Sequence, residues 1–430
     1  MLASTGTTNY NSYKNSGLDF VRLLPTSWDI IPIRAIFNER NEKNIGPKTD
    51  FILSVTRQRG VIPYDEKGAI GNNKSEDIEH YKIVYEDDLV INKMNVVIGS
   101  LGLSKYYGAL SQVYIVLKPK TSEFNIKYYA YMFLNEPFYK SLIKYCTGIM
   151  DLRESLDRDE FKKLYLPYPS QAEQNAIALF LDKKTSQINE AIAIKERQIK
   201  LLKERKKIII QKAVTQGLTP NVPMKKSGID WINTIPEHWE IVRFKNLFTQ
   251  SRLSVSKNDG VVTAYRDGQV TLRSNRRLDG YTEAILEGGY QGIRSGQLVL
   301  NSMDAFEGAI GVSDSDGKCT PEYVICDPKS SAISQYYFAY LLREMALSKY
   351  IQVICNAVRQ RAVRIRFNNL ASQFLILPSR EEQNSIVQYI ERESKKIDLG
   401  LEYLHQQIAK LKEYKTTLIN SAVTGKIKVV

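Results

Sequence analysis

Two stretches of the chain repeat apolar residues at steps of four and three. In the first, Ile188, Ile192, Ile199, Leu202 and Ile209 lead to Ala213, with Lys195 and Lys206 interrupting the strip. In the second, Ile397, Leu401, Leu404, Ile408, Leu411 and Leu418 lead to Ala422, interrupted at Lys415. A spacing that averages about 3.5 residues is the coiled-coil period, and so narrow an apolar strip has to be covered by another helix. Each stretch is the obvious partner for the other. Each also opens with the pattern of a capping box, Ser170 with Glu173 and Ser379 with Glu382, in which side chain and backbone satisfy each other across the first turn. The pattern predicts two long helices with well-marked starts. An antiparallel pair is expected, because the block between them can then leave and return at one place.

The helices belong to a longer repeat. Pro169-Ser170-Gln171-Ala172-Glu173-Gln174-Asn175 and Pro378-Ser379-Arg380-Glu381-Glu382-Gln383-Asn384 stand 209 residues apart (378 − 169), and the register holds to Ala213-Val214-Thr215 against Ala422-Val423-Thr424. Leu89 to Met94 matches Leu298 to Met303, Tyr114 to Pro119 matches Tyr323 to Pro328, and Tyr128 to Tyr131 matches Tyr337 to Tyr340 in that same register. Ser16-Gly17-Leu18-Asp19, then Pro25 and Trp28, matches Ser227-Gly228-Ile229-Asp230, then Pro236 and Trp239, at 211 (227 − 16). Duplication on this scale implies two similar blocks.

Within a block, Phe51 to Thr56, Leu89 to Asn92 and Val113 to Leu117 read as short strands, and Tyr128 to Tyr145 has helical spacing. The expected fold class is α+β, with two similar mixed α/β globular domains separated by an antiparallel two-helix coiled coil and related by a pseudo-two-fold. The expected boundaries are 1–168 for the first domain, 169–218 for the central helix, 219–377 for the second domain and 378–430 for the C-terminal helix. Gly217, Pro220 and Pro223 mark the linker that ends the central helix. The blocks are least alike from Arg40 to Asp88 and from Asn258 to Gly296, which are expected to carry the loops. A repeated scaffold around divergent loops suggests one job done on two targets.

Charge narrows the job. The chain has 60 Lys and Arg against 47 Asp and Glu, a net +13, which favours polyanionic partners. Its four Cys and three His show no metal-ligand spacing, so neither zinc nor a disulfide framework is expected. Cys146 and Cys355 fall in the same repeat register, which points to a buried structural position in each block. No run of about eighteen apolar residues occurs, so no membrane association is expected and a cytoplasmic location is. Asn135-Glu136-Pro137-Phe138 is a near miss to the Asn-Pro-Pro-aromatic loop of amino-methyltransferases, without a Gly-rich cofactor loop beside it. Gly311 to Cys319 fails the phosphate-loop spacing. No catalytic or metal residues are expected.

Basic and amide side chains carry the remaining signal. The candidates in the first block are Arg57, Gln58, Arg59, Asn73, Lys74, Lys93 and Arg153. Those in the second are Arg266, Arg273, Arg276, Arg277, Arg294, Arg359, Gln360, Arg361 and Arg364. Arg presents a fork to guanine and Asn or Gln one to adenine, while Lys and the remaining Arg hold phosphates. A solvated charged face is the plainer reading of any single one.

Two blocks that each open with Gly-x-Asp, Pro and Trp, and close on Pro-Ser-x-x-Glu-Gln-Asn, a long helix and Ala-Val-Thr, resemble the specificity subunits of Type I restriction-modification enzymes. The resemblance runs from about Ser16 to Gly425. It implies two target-recognition domains reading a bipartite double-stranded DNA site, and no catalysis or cofactor in this chain. It implies two adenine-methylating partner subunits carrying S-adenosylmethionine, with ATP- and Mg-dependent restriction subunits as further partners. From Ile188 to Ala213 the apolar strip would be about 39 Å long at about 1.5 Å per residue, near one DNA turn of about 34 to 36 Å; the helices are expected to act as a ruler. A stand-alone nucleic-acid-modifying enzyme and a coiled-coil protein scaffold are the alternatives.

Overall fold

A computed structural model describes residues 7–57, 59–68, 75, 77–147, 155–276, 289–355 and 364–429. The chain divides into two compact units, residues 1–196 with 405–430 and residues 197–404. Each unit holds the start of one long helix and the end of the other.

In the first unit, β1 (Phe37–Glu39), β2 (Leu89–Asn92), β3 (Leu101–Leu103) and β4 (Tyr114–Pro119) form a sheet in the order β3-β2-β4-β1. All its pairings are antiparallel. Successive side chains of a strand face opposite ways, so a strand covered on both sides reads as a continuous apolar run. Leu89, Ile91, Ile115 and Leu117 enter the main core with helix α1 (Ile126–Phe133). Val90 and Val116 turn the other way, into a smaller cluster with Leu53, Val55, Val61, Val84 and Leu110. Helix α2 (Gln171–Gln216) follows.

The second unit repeats this plan. Strands β5 (Phe248–Gln250), β6 (Leu298–Asn301), β7 (Ile310–Val312) and β8 (Tyr323–Pro328) take the matching order β7-β6-β8-β5. Helix α3 (Gln335–Leu347) covers the main core, and α4 (Arg380–Val423) closes the chain. Val299 and Ile325 face a second cluster with Val262, Ala264, Val270, Ile293 and Cys319.

Three details differ from the sequence reading. The divergent stretches are not only loops. Leu53–Thr56 pairs with Gly60–Pro63 and Lys82–Val84 with Gly108–Leu110; in the second unit Val262–Ala264 pairs with Val270–Leu272 and Gln291–Ile293 with Gly317–Cys319. Leu53–Thr56 falls within the strand expected over Phe51 to Thr56; the others lie outside the expected strands and, at three or four residues each, offer little periodicity. Tyr128 to Tyr145 is not one helix, since a second begins at Glu136. Cys146 and Cys355 are half-buried, whereas Cys319 and Cys326 are the buried thiols.

One carboxylate closes each unit. Ser170 donates from its N–H and hydroxyl to Glu173 Oε2 at 3.2 and 2.8 Å, and the Glu173 N–H returns to Ser170 Oγ at 3.3 Å. Ser379 and Glu382 repeat this at 3.2, 3.0 and 3.2 Å. The other carboxylate oxygen accepts an indole N–H, from Trp28 at 3.1 Å in the first unit and from Trp239 at 3.2 Å in the second. Burial works against the Glu173 carboxylate, but the hydrogen bonds from Ser170, Trp28 and Tyr10 outweigh it and hold its pKa below the usual range. The helix start and the buried Trp of each block are therefore one device.

The neighbouring Gln extends it. Gln174 donates to Pro169 O at 2.9 Å and accepts the Asn125 N–H at 2.9 Å; Gln383 donates to Pro378 O at 2.9 Å and accepts the Ser334 N–H at 2.7 Å. At the helix ends, Tyr128 donates its hydroxyl to Val423 O at 3.1 Å and Tyr337 donates to Val214 O at 2.9 Å. These carbonyls lie in the last turn of a helix, where no intrahelical N–H can reach them. The Ala-Val-Thr motif is thus the segment that docks under a buried tyrosine.

Between their ends the helices pair antiparallel within each unit. In the first, Lys195 Nζ is 2.6 Å from Gln407 Oε1 and Lys415 Nζ is 2.9 Å from Asn189 Oδ1. In the second, Lys206 Nζ is 2.7 Å from both Asp398 oxygens. Ile188, Ile199, Ile397, Ile408 and Leu418 are buried, and Ile192, Leu202, Ile209, Leu401, Leu404 and Leu411 are half-buried. The lysines that break the apolar strip reach polar partners on the facing helix while their stems stay along it.

Candidate nucleic-acid interface

The smaller apolar clusters support the divergent hairpins, and Arg266 and Arg276 of the second unit sit at one of their turns. The turn 265–269 joins two hairpin strands, and Arg266 within it lies 2.9 Å from Asp304, with Glu307 on its other nitrogen. Those bonds, that to Asp304 first, raise its pKa further. Arg276 lies 2.8 Å from Asp267 and stacks 4.1 Å from the centre of the Tyr265 ring. Arg343, which the sequence reading did not single out, donates to the carbonyls of Asp267 and Arg266. Gly268 has a φ of +93°, a backbone conformation that favours glycine, and it lies against the Arg343 guanidinium. Arg266 and Arg276 are thus brought together around one turn.

Arg294 and Arg273 stand elsewhere. Arg294 lies 3.3 Å from Asp259 and donates to Gly317 O at 3.2 Å. Arg273 Nε is 3.4 Å from Thr263 Oγ1. Arg364 is exposed. Beside the turn, burial pushes the Glu344 carboxyl up to about 7, with Arg343 and Lys207 pulling it the other way.

In the first unit, Arg59 pairs with Glu66, Arg57 is exposed and Lys93 is half-buried just beyond β2. Gln58, Asn73, Lys74, Arg153, Arg277, Arg359, Gln360 and Arg361 lie outside the described residues. Arg59, Arg266, Arg276 and Arg294 share one feature. Each has a carboxylate of its own unit beside it, so these are compensated charges rather than free forks. The exposed pairs, those of Arg59, Arg266 and Arg276, contribute about 0–1 kcal/mol, weak enough to be exchanged for another anion; the Arg294 pair, with Asp259 nearly buried, is not of this kind.

A group the sequence reading missed is the densest in charge. Glu39, with 6% of its side chain exposed, lies 3.2 Å from Lys82, 3.1 Å from Lys162 and 3.7 Å from Arg158. Burial works against the carboxylate, and Lys162, Lys82 and Arg158 together still hold its pKa below the usual range. Lys82 is itself pushed down, by burial first and then by Arg158. It donates to Tyr114 O at 2.9 Å. The one local signal is a lysine flanked by apolar residues, Tyr81-Lys82-Ile83-Val84. In the second unit Gln291 takes its place and donates to the matching carbonyl, Tyr323 O, at 2.8 Å.

Among the described residues, no three His, Cys, Asp or Glu side chains are placed to hold a metal ion, and no helix is long and apolar enough to cross a membrane.

The family model described as Type I restriction modification DNA specificity domain matches residues 25–202. That span begins at the Pro25 to Trp28 segment and includes the capped start of α2. The Type I restriction enzyme MjaVIII specificity subunit of Methanocaldococcus jannaschii is 25% identical over 94% of this chain and 94% of its own length. Residues 25–202 thus match a Type I restriction-modification DNA specificity domain, and the chain is similar along nearly its whole length to a specificity subunit. The Type I restriction enzyme EcoBI specificity subunit of Escherichia coli is 23% identical over 80% of this chain and 74% of its own. The HsdS subunit from Thermoanaerobacter tengcongensis shares the fold, with a TM-score of 0.53 at 13% identity, over 94% of this chain and 98% of that one. A chain from a structure concerned with complex assembly and conformational transition of the type I R-M system does so with a TM-score of 0.66 at 12% identity, over 94% of this chain and 99% of that one. In this chain the Trp–Glu closure is shared by both units, and the hairpins over the smaller clusters are what varies between them.

Proposed function

We propose that this chain is the DNA-reading subunit of a Type I restriction-modification assembly. It recognises a bipartite duplex, one unit to each half, and performs no reaction of its own. Its partners are double-stranded DNA and two adenine-methylating subunits that carry S-adenosylmethionine; ATP- and Mg-dependent restriction subunits are further partners. Arg and Lys side chains on and around the two sets of hairpins contact base edges and phosphates.

The observation that carries this reading is the pairing of identical scaffolds with different hairpins. Strand order and the Trp–Glu closure are the same in both units, while the residues around the smaller clusters differ in charge and partner. The net +13 suits a polyanionic ligand. Methylome sequencing of cells with and without the gene for this chain tests it. Loss of adenine methylation at one bipartite motif is expected. Methylation that persists unchanged, or purified chain that methylates DNA unaided, would defeat the proposal.

A further inference from the structure

One carboxylate requires one cation, and Glu39 has three. Lys82, Arg158 and Lys162 all lie within 4 Å of it, and Lys93 is close enough to act on Lys82. Lys82 is buried and spends its ammonium on Glu39 and Tyr114 O. Arg158 and Lys162 are one helical turn apart on the helix Arg158–Lys163, with 38% and 39% of their side chains exposed. Arg158 Nε is buried with no hydrogen-bond partner among the described residues. The backbone of Lys93 is fixed beside them, its carbonyl accepting the Leu156 N–H at 2.9 Å. The group therefore holds more positive charge than its own carboxylate can balance.

Among the described residues, the second unit has no such group at the matching positions. The positions that match Glu39, Lys82, Lys93, Arg158 and Lys162 are Gln250, Gln291, Ser302, Phe367 and Ala371, all uncharged. The strands carrying Glu39 and Lys82 pair as their counterparts do, so that pairing does not need the charges. We propose that the first unit holds a backbone phosphate of the duplex against Arg158, Lys162 and Lys93, a contact the second unit lacks. The first unit is then the more salt-sensitive anchor of a two-part grip. This rests on the chain being a DNA-reading subunit.

Each phosphate contact contributes about 0.9 to the slope of log affinity against log salt. In the full chain with its methylating subunits, on the bipartite target, the double variant Arg158→Gln with Lys162→Gln is expected to flatten that slope by about 1. Affinity near 0.1 M salt should fall about tenfold. A scan of single uncharged methylphosphonate linkages should find one position, in one half-site only, that weakens the wild type and not the double variant. That scan separates a DNA phosphate from a free phosphate ion. If the double variant melts early, Lys162→Gln alone is used, with Lys162→Arg expected to restore the slope. A folded variant with an unchanged slope, beside a wild type that still binds its target in a salt-dependent way, overturns the phosphate contact and leaves the subunit's role standing. A wild type without sequence-dependent binding overturns the role itself.

Discussion

In the first unit a buried carboxylate, Glu39, gathers Lys82, Arg158 and Lys162 at one edge of the sheet. In the second, the charges gather instead at the hairpin turn, where Asp304 and Glu307 take Arg266 and Asp267 takes Arg276. Neither arrangement recurs at the matching described positions of the other unit: Asp304, Glu307 and Arg343 match Asn95, Ile98 and Leu134. What the units keep in common is different in kind. Both keep a Trp on a capping carboxylate, a Gln between two helix starts, and a Tyr beneath a helix end. Residues that close the fold are duplicated, and residues that present charge are not. The two jobs are separable on one scaffold.

The strongest way to break the comparison is to remove the shared device. Trp28→Ala empties a fully buried site and removes a donor from Glu173; Trp239→Ala does the same to Glu382. Each is expected to cost about 3–5 kcal/mol, and the two losses should agree within about 1 kcal/mol, measured by urea unfolding. A loss in one unit several times that in the other would mean the closures are alike only in geometry.

A smaller test sharpens the comparison at the helices. Lys206 faces the carboxylate of Asp398, whereas its counterpart Lys415 faces the neutral Asn189 and has its pKa lowered by burial. Asn189→Asp should give the first unit the ion pair the second already has and stabilise it by about 0.2–1 kcal/mol in low salt. Asp398→Asn should lose a similar amount. Thermal melting at two salt concentrations reads both, and a destabilising Asn189→Asp would show that desolvation outweighs the pair.

Much of the architecture was legible in the chain because it repeats or is local. The capping boxes need residues three apart, and the apolar strip declares itself by period. The duplication could be counted without knowing why Trp28 or Tyr128 recurs. The reasons were not legible. Trp28 meets Glu173 and Tyr128 meets Val423 across long separations, so the motifs were visible while the contacts joining them were not. Charge was harder still. Arg266 announces itself as a donor, but Asp304 and Glu307 reach it only through the fold. The Glu39 group is assembled from three separate segments, and only Lys82, flanked by apolar residues, leaves a local signal. Short strands such as Val262–Ala264 and Val270–Leu272 fell below the length at which alternation can be read.

The central claim, that each unit reads its own half of a bipartite target, is tested most directly by giving one chain the same reader twice. Residues 224–377 are replaced by residues 13–168, which carry the same Trp, strand order and buried Tyr, and the methylated motif of cells expressing the chimera is sequenced. The account predicts that the half-site assigned to the second unit disappears and the first unit's half-site occurs twice. A folded chimera that still directs methylation to the original motif, or to one in which both halves have changed, would contradict it.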